Sequence, residues 1–259
     1  MRPRAGIGVI ALTIAAFGLL YAPLAAMVTY SFLETPAAGG GLTLKWYLRA
    51  LENRSVLEGL QASLVVGLSS AAIATILGTA AALALARGEF RGRSALDAVA
   101  HVSLVMPEIV MGLSLLIWFV VLRITLGSFS IILAHVSFSL AYVILTVRAR
   151  LEGFDRSLEE AARDLGATPW QAFRHVTLPL IFPGVLSGAL LAFTLSFDDF
   201  LVAFFTAGPG SDTLPLKLYS MIKFGVSPEI NAVSTMILAV TLVLVLVFLR
   251  PFAARPAHD

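Results

Sequence analysis

Three carboxylates lie well inside long apolar stretches of this 259-residue chain: Glu108, Asp198 and Asp199. A charged side chain at the centre of a bilayer-spanning helix costs about 2.5–3.5 kcal/mol on insertion scales, so each acid needs a partner or a task. Carboxylates set at different depths can pair with a cation passing between them. They can relay protons, or they can hold neighbouring helices together by hydrogen bonds. Hydrolysis by an aspartate pair is a further possibility, but its two acids must meet from different helices. Neighbours on one helix point about 100° apart, so Asp198 and Asp199 cannot face each other. Phe197, Phe200, Phe204 and Trp118 offer ring faces nearby, on which ammonium groups also rest. Other chemistries are excluded by residue type. There is no cysteine, and His101, His135, His175 and His258 show no metal-ligand spacing. Each of His101 and His135 reads as a helix-packing residue. No Gly-Lys dipeptide occurs, so the chain has no phosphate-binding loop of the Walker type. Catalytic and metal-binding residues are therefore expected to be absent, and any nucleotide must sit on another chain.

The elements that position these acids follow from composition. Hydrophobic types make up 58% and charged types 13%, with mean hydropathy +0.91 and net charge +2. Soluble domains are about 45–50% apolar and about 25% charged, so a soluble enzyme, a disordered chain and a nucleic-acid-binding domain are all excluded. Six stretches reach the roughly 20 apolar residues a spanning helix needs: 6–32, 60–86, 99–122, 126–147, 180–207 and 228–249. The first is too long for the apolar core of a signal peptide and reads as a retained helix. Period-2 alternation is missing, which argues against an outer-membrane barrel. Glu108 falls nine residues, about 14 Å, into the third stretch, and Asp198 and Asp199 fall in the outer half of the fifth.

Basic residues set the orientation. With the N-terminus inside, the cytoplasmic segments hold twelve arginines, Arg2, Arg4, Arg250 and Arg255 among them, against six basic residues outside. Both termini are thus expected in the cytoplasm. The outer segment 33–59 opens on Gly39-Gly40-Gly41, and its Trp46, Tyr47 and Leu48 read as an interfacial helix. Gly208-Pro209-Gly210-Ser211 is a turn, and Ser227-Pro228 starts the last span. Gly112, Gly127, Gly184 and Gly188 read as close helix contacts, the last two as a small-xxx-small pair. One membrane domain, 1–259, with no soluble domain attached, is the simplest organisation.

The cytoplasmic segment 148–179 is the most informative. Ser157-Leu158-Glu159-Glu160 has the form of a capping box, with Ser at the N-cap and Glu160 at N3. Gly166 can close that short helix in the left-handed conformation. Thr168-Pro169-Trp170-Gln171 repeats the start signal, and Leu178-Pro179 leads into the fifth span. Two short helices meeting at a bend follow. Ala161 and Ala162 give the first a face of little bulk that another protein could approach closely. Local signals weigh a docking surface and a plain connector about equally.

Glu160-Ala161-Ala162, Gly166, and Val176-x-Leu178-Pro179 stand at the spacings of the EAA motif, with Val176 where isoleucine is commoner. The segment therefore resembles the membrane subunits of bacterial ABC importers. Further strings are similar to the spermidine/putrescine permease branch: Lys45-Trp46-Tyr47, Met106-Pro107-Glu108, Ser196-Phe197-Asp198-Asp199-Phe200, Leu214-Pro215-Leu216-Lys217 and Gly225-Val226-Ser227-Pro228-Glu229. The likeness covers nearly the whole chain, although importers of other small organic ions share parts of it.

The resemblance implies an all-α, six-helix type I importer permease in the bacterial inner membrane. Glu160, Ala161, Ala162, Gly166, Leu178 and Pro179 would dock a separate ATPase that holds ATP and magnesium, with no cofactor in this chain. Gly166 and Pro179 could be hinges or simple helix punctuation. A second membrane subunit, most often a paralogue, and an extracytoplasmic binding protein would complete the assembly. Glu108, Asp198, Asp199, Phe197 and Trp118 would be the candidates for a polyamine's route. A proton-coupled secondary transporter is the competing class. It would show repeated halves and two broken helices in matching positions, and the sequence gives no sign of either.

Overall fold

The computed structural model describes residues 7–34, 40–223, 225 and 227–253, with side chains left undescribed at Ile7, Ile10 and beyond Val243. Arg2, Arg4, Gly6, Gly39, Val226, Arg255 and His258 lie outside the described residues, as does the side chain of Arg250. Helices make up almost all of the ordered structure, and one isolated antiparallel bridge joins Leu33 to Leu42. The chain divides into two compact units, one formed by the ends (1–57 with 218–259) and one by residues 58–217.

In the unit formed by the ends, α1 (Ile7–Ser31) packs along α12 (Pro228–Ala253), which also touches α2 (Lys45–Glu52). α2 is the expected interfacial helix. Its Trp46 Nε1 donates to the Leu33 carbonyl at 2.9 Å, and Tyr47 Oη shares a 2.7 Å hydrogen bond with Ser31 Oγ. Lys45 and Arg49 lie over the Trp46 ring. Asn53 Oδ1 accepts the backbone N–H groups of Ser55 and Val56 and so starts α3 (Arg54–Arg87) six residues before the expected span. Asn53 Nδ2 donates to Glu229 Oε1 at 2.6 Å, tying that start to the first turn of α12.

The second unit is built around α6 (Ser128–Glu152) and α9 (Leu178–Asp198), which run against each other closely. Glycine makes this possible. A Cβ at Gly184 would come within 2.8 Å of Arg150 Cβ, and one at Gly188 within 3.4 Å of Val143 Cα. The small-xxx-small pair is therefore the α9 side of that contact. Val143, Ile144, Val147 and Ile181 fill the seam and are fully or almost fully buried. Gly112 likewise lets α5 (Glu108–Val121) approach α10 (Leu201–Thr206): a Cβ there would come within 3.3 Å of Val202 Cα. Gly127 differs from expectation. A Cβ there would meet nothing within 4 Å, and the residue heads α6 with its amide beside Gly208.

Two expected spans are broken. The third divides into α4 (Arg93–Val105) and α5, and Met106-Pro107 between them is extended (ψ 128° and 133°). Pro107 causes this: its ring drives the preceding residue out of the α region, and it has no N–H to give. The fifth ends at Asp198, Asp199 is extended (ψ 130°), and α10 follows. The structure therefore has two broken helices, each with acidic residues at the break and an apolar run resuming beyond it. Among the described helices, four are long and apolar enough to cross a membrane, with α5 and the described part of α12 as shorter apolar helices.

Candidate functional site

The two breaks open onto one cavity of about 380 Å³. Glu108, the first residue of α5, lines it together with Asp198, Asp199 and Phe200 from the second break, and with Tyr142 and Ser103. All three acids singled out from sequence thus meet at one place, although Glu108 and Asp198 are 90 positions apart. Trp118 and Phe197 do not line it. Trp118 is 58% exposed on α5, and the Phe197 ring lies tilted against Phe193 with ring centres 5.6 Å apart.

The adjacent aspartates have different surroundings. Asp199 is turned inward, its side chain only 6% exposed. Its Oδ2 accepts the Ala203 N–H at 2.7 Å and its Oδ1 the Val202 N–H at 3.3 Å, so it caps α10. His135, fully buried on α6, brings Nε2 within 3.2 Å of Asp199 Oδ2, off the line a hydrogen bond needs. On its other edge, His135 Nδ1 is 2.6 Å from Ser196 Oγ, which shares a 2.9 Å hydrogen bond with Ser70 Oγ of α3. Three helices are joined at the second break by this buried chain of polar groups. Asp198 is exposed toward the cavity. A cation in the cavity would meet the carboxylates of Glu108 and Asp198, with Asp199 held by its bonds to α10. His135, Ser196 and Ser70 were not picked out as a site in the sequence. A lone histidine between apolar residues gives no local sign of partners 61 positions away.

The second candidate region is the segment 148–179. Its first helix, α7 (Ser157–Asp164), starts differently from expectation. Ser157 and Glu160 make no capping box. Asp155 Oδ1 accepts the Ser157 N–H at 2.9 Å instead. The Ser157 N–H, and after it the Ser157 hydroxyl, hold the Asp155 carboxyl below its ordinary pKa. Gly166 closes the helix at φ +89°, and Thr168 and Gln171 form the expected capping box at α8 (Pro169–Ala172). The bend between two short helices is therefore present.

The second short helix does not stop before the span. It passes through a π turn, Phe173–Thr177, straight into α9. Leu178 N–H bonds to the Phe173 carbonyl five residues back. Pro179 lies in the first turn of α9 and has no N–H for the carbonyl four residues before it, so the wider turn is where the helix absorbs it. Glu160, Ala161, Gly166 and Pro179 are exposed, and Ala162 and Leu178 are half-buried. Leu165 (91% exposed) and Trp170 (65%) flank Gly166 and offer the largest apolar surfaces there. Position alone gives neither residue away in the sequence, because solvent exposure depends on the bend.

Glu159 turns the other way. Its carboxylate takes two hydrogen bonds from Arg87, the last residue of α3 (3.1 and 2.5 Å), and a third from Thr177 Oγ1 (2.9 Å). Arg156 Nη2 donates to the Ala86 carbonyl at 2.6 Å, and the Arg87 guanidinium lies 5.9 Å from the Phe154 ring centre. At the neighbouring end of α6, Arg148 pairs with Asp97 of α4.

Comparison with known proteins agrees with this architecture. The chain is 42% identical, over 90% of its length and 89% of the relative's, to the spermidine/putrescine transport system permease protein PotC of Escherichia coli K12. It is 44% identical to the putrescine transport system permease protein PotI of the same strain, over 86% of this chain and 82% of that one. Among solved structures, a bacterial ABC transporter that imports the acidic polysaccharide alginate superposes with a TM-score of 0.70. It covers 95% of this chain and 94% of that chain at 19% identity, a likeness of fold. Residues 74–254 match the family described as the binding-protein-dependent transport system inner membrane component. The chain belongs to that family, as a multi-pass bacterial inner-membrane transport subunit and not an enzyme.

Proposed function

We propose that this chain is one membrane subunit of an ATP-driven importer of polyamines, and that the cavity at the two helix breaks is part of the cation's route. One observation carries the reading: carboxylates from two separate broken helices, Glu108 and Asp198, line a single cavity. The names of the PotC and PotI relatives supply the substrate class. A polyamine presents several ammonium groups along a flexible chain. Charge-assisted hydrogen bonds to spaced carboxylates hold such a cation, and Phe200 and Tyr142 add ring faces. Another small organic cation is the alternative substrate.

In this reading the chain is one domain with six crossings, 6–32, 60–86, 99–122, 126–147, 180–207 and 228–249, and both termini are cytoplasmic. Glu160, Ala161, Ala162 and Gly166, with Leu165 and Trp170 beside them, seat a separate ATPase, and Leu178 and Pro179 join that seat to the fifth crossing. ATP and magnesium belong to the ATPase. A paralogous second membrane subunit completes the route, and an extracytoplasmic binding protein delivers the substrate. ATPase closure shifts the membrane subunits between inward- and outward-open states, which requires the docked loop to interact differently with the two.

The test is uptake of labelled putrescine and spermidine into proteoliposomes holding this chain, its ATPase, the second permease and the binding protein. Glu108→Gln and Asp198→Asn should each raise the half-saturating concentration, since a hydrogen bond to a charged group contributes about 1.5–3 kcal/mol, or roughly ten- to 150-fold. Unchanged half-saturation in both variants would remove the cavity from the route.

A further inference from the structure

We infer that Arg87 and Glu159 form a clamp that delivers the motion of the docked loop to α3 as well as to α9. The inference rests on the ATPase-docking reading of segment 148–179. That segment is continuous with α9 through the π turn, so a pull on it reaches α9 through the backbone. Nothing covalent links it closely to α3, whose last residue is 70 positions before Ser157. The link is made by side chains.

Glu159 receives Arg87 in a two-toothed pairing, the geometry that fixes angle as well as distance. Thr177, fully buried in the π turn, bonds the same carboxylate, and Arg87 Nη2 lies 3.3 Å from its hydroxyl. Arg156 then holds the Ala86 carbonyl in the last turn of α3. One carboxylate thus joins the loop helix, the π turn and the end of α3. The Arg87 and Glu159 side chains keep only 29% and 20% of their exposure, so the pair is screened less than an open surface pair.

α3 suits the transmission of a rigid movement. Its 34 residues extend about 51 Å without a proline. Seventeen residues above Arg87, about 26 Å along the axis, Ser70 bonds Ser196 in the buried chain at the second break. A displacement at Glu159 therefore arrives beside the cavity by two routes, along α9 and along α3. Glu159 and Arg87 are positioning residues in this scheme. They touch neither substrate nor nucleotide.

The experiment uses the full assembly in proteoliposomes and measures substrate taken up per ATP hydrolysed, together with ATPase co-purification. Arg87→Glu and Glu159→Arg should each lower that ratio about tenfold, within the roughly five- to 150-fold range of coupling between sites, while the ATPase still co-purifies. The double variant, Arg87→Glu with Glu159→Arg, should recover to within about twofold of the original, because the pair is remade in reverse. Single variants with an unchanged ratio overturn the clamp, as does a double variant that stays uncoupled. Loss of the ATPase from Glu159→Arg alone also overturns it, since Glu159 would then face the ATPase. Should the reversals fail to accumulate, Glu159→Gln keeps the shape and one accepting oxygen. It should lower the ratio about fivefold at unchanged melting temperature, and full coupling there is equally decisive. Failure of the docking reading looks different: the unaltered chain would not retain the ATPase at all.

Discussion

Asp199 Oδ2 accepts the backbone N–H of Ala203 at 2.7 Å, so an acid beside the cavity is committed to holding the end of a helix. That bond separates the roles of two residues that the sequence places side by side. Asp198→Asn should raise the half-saturating substrate concentration and leave the melting temperature in detergent unchanged. Asp199→Ala should lower stability by about 0.5–2 kcal/mol, the cost of an N-cap, as read by thermal melting. Equal effects of the two changes on melting would contradict the division.

Gly166→Pro should abolish ATPase co-purification and leave membrane insertion intact. Proline fixes φ near −65°, whereas Gly166 stands at +89° and donates its N–H to the Arg163 carbonyl at 2.9 Å. Gly166→Ala should cost about 1–2 kcal/mol locally, since a Cβ is disfavoured in the left-handed region, and should weaken co-purification without abolishing it. Normal association of Gly166→Pro would count against the docking surface.

Gly184→Val tests the α6–α9 seam. The added atoms meet Arg150 and the Thr146 carbonyl, so overpacking should destabilise the protein by about 1–3 kcal/mol. Gly127→Ala, in open space, is the control and should melt with the parent protein.

Asp155 supplies a pH-dependent element outside the membrane. Its folded pKa is lowered, so the stabilisation of the α7 start is present above the ordinary carboxylate pKa and is lost as pH falls through the lowered folded value. Amide exchange at Ser157 and Leu158, corrected for its intrinsic pH dependence, should lose protection over that acid range. Asp155→Ala should show the low protection at neutral pH as well.

The purified chain alone should hydrolyse no ATP and transport nothing; uptake should appear when an ATPase, a second permease and a binding protein are added. Hydrolysis by the isolated chain would refute the division of labour.

Much of this architecture is legible in residue order, and the exceptions have physical causes. Apolar runs locate the four helices long enough to cross a membrane because hydropathy reports burial in lipid, and the Thr168–Gln171 box and Gly166 are legible because caps act within four residues. The break at Pro107 could be suspected from the proline, which removes a donor whatever surrounds it. The break at Asp199 could not, since an aspartate ends a helix only when its side chain captures the next N–H groups, as here at Val202 and Ala203. Asp155 displaced Ser157 as the cap for the same reason: two neighbouring oxygens compete for one amide, and geometry decides. Contacts such as Glu159 with Arg87, or His135 with Ser196, join residues 72 and 61 positions apart and leave no periodic trace.

The π turn at Phe173–Thr177 takes up one residue without changing the angular phase of the helix beyond it. A π turn holds one residue more than the α-helical turn it replaces, and each helical residue turns the chain by about 100°. Deleting one amino acid there would let the turn close to ordinary α-helical geometry with the following rod kept in phase, whereas the same deletion inside α9 would swing Asp198 by about 100°, off its wall of the chamber. The extra residue between the Gly166 bend and α9 is therefore slack in the chain, a place where one amino acid can be lost without re-aiming the acids beyond it.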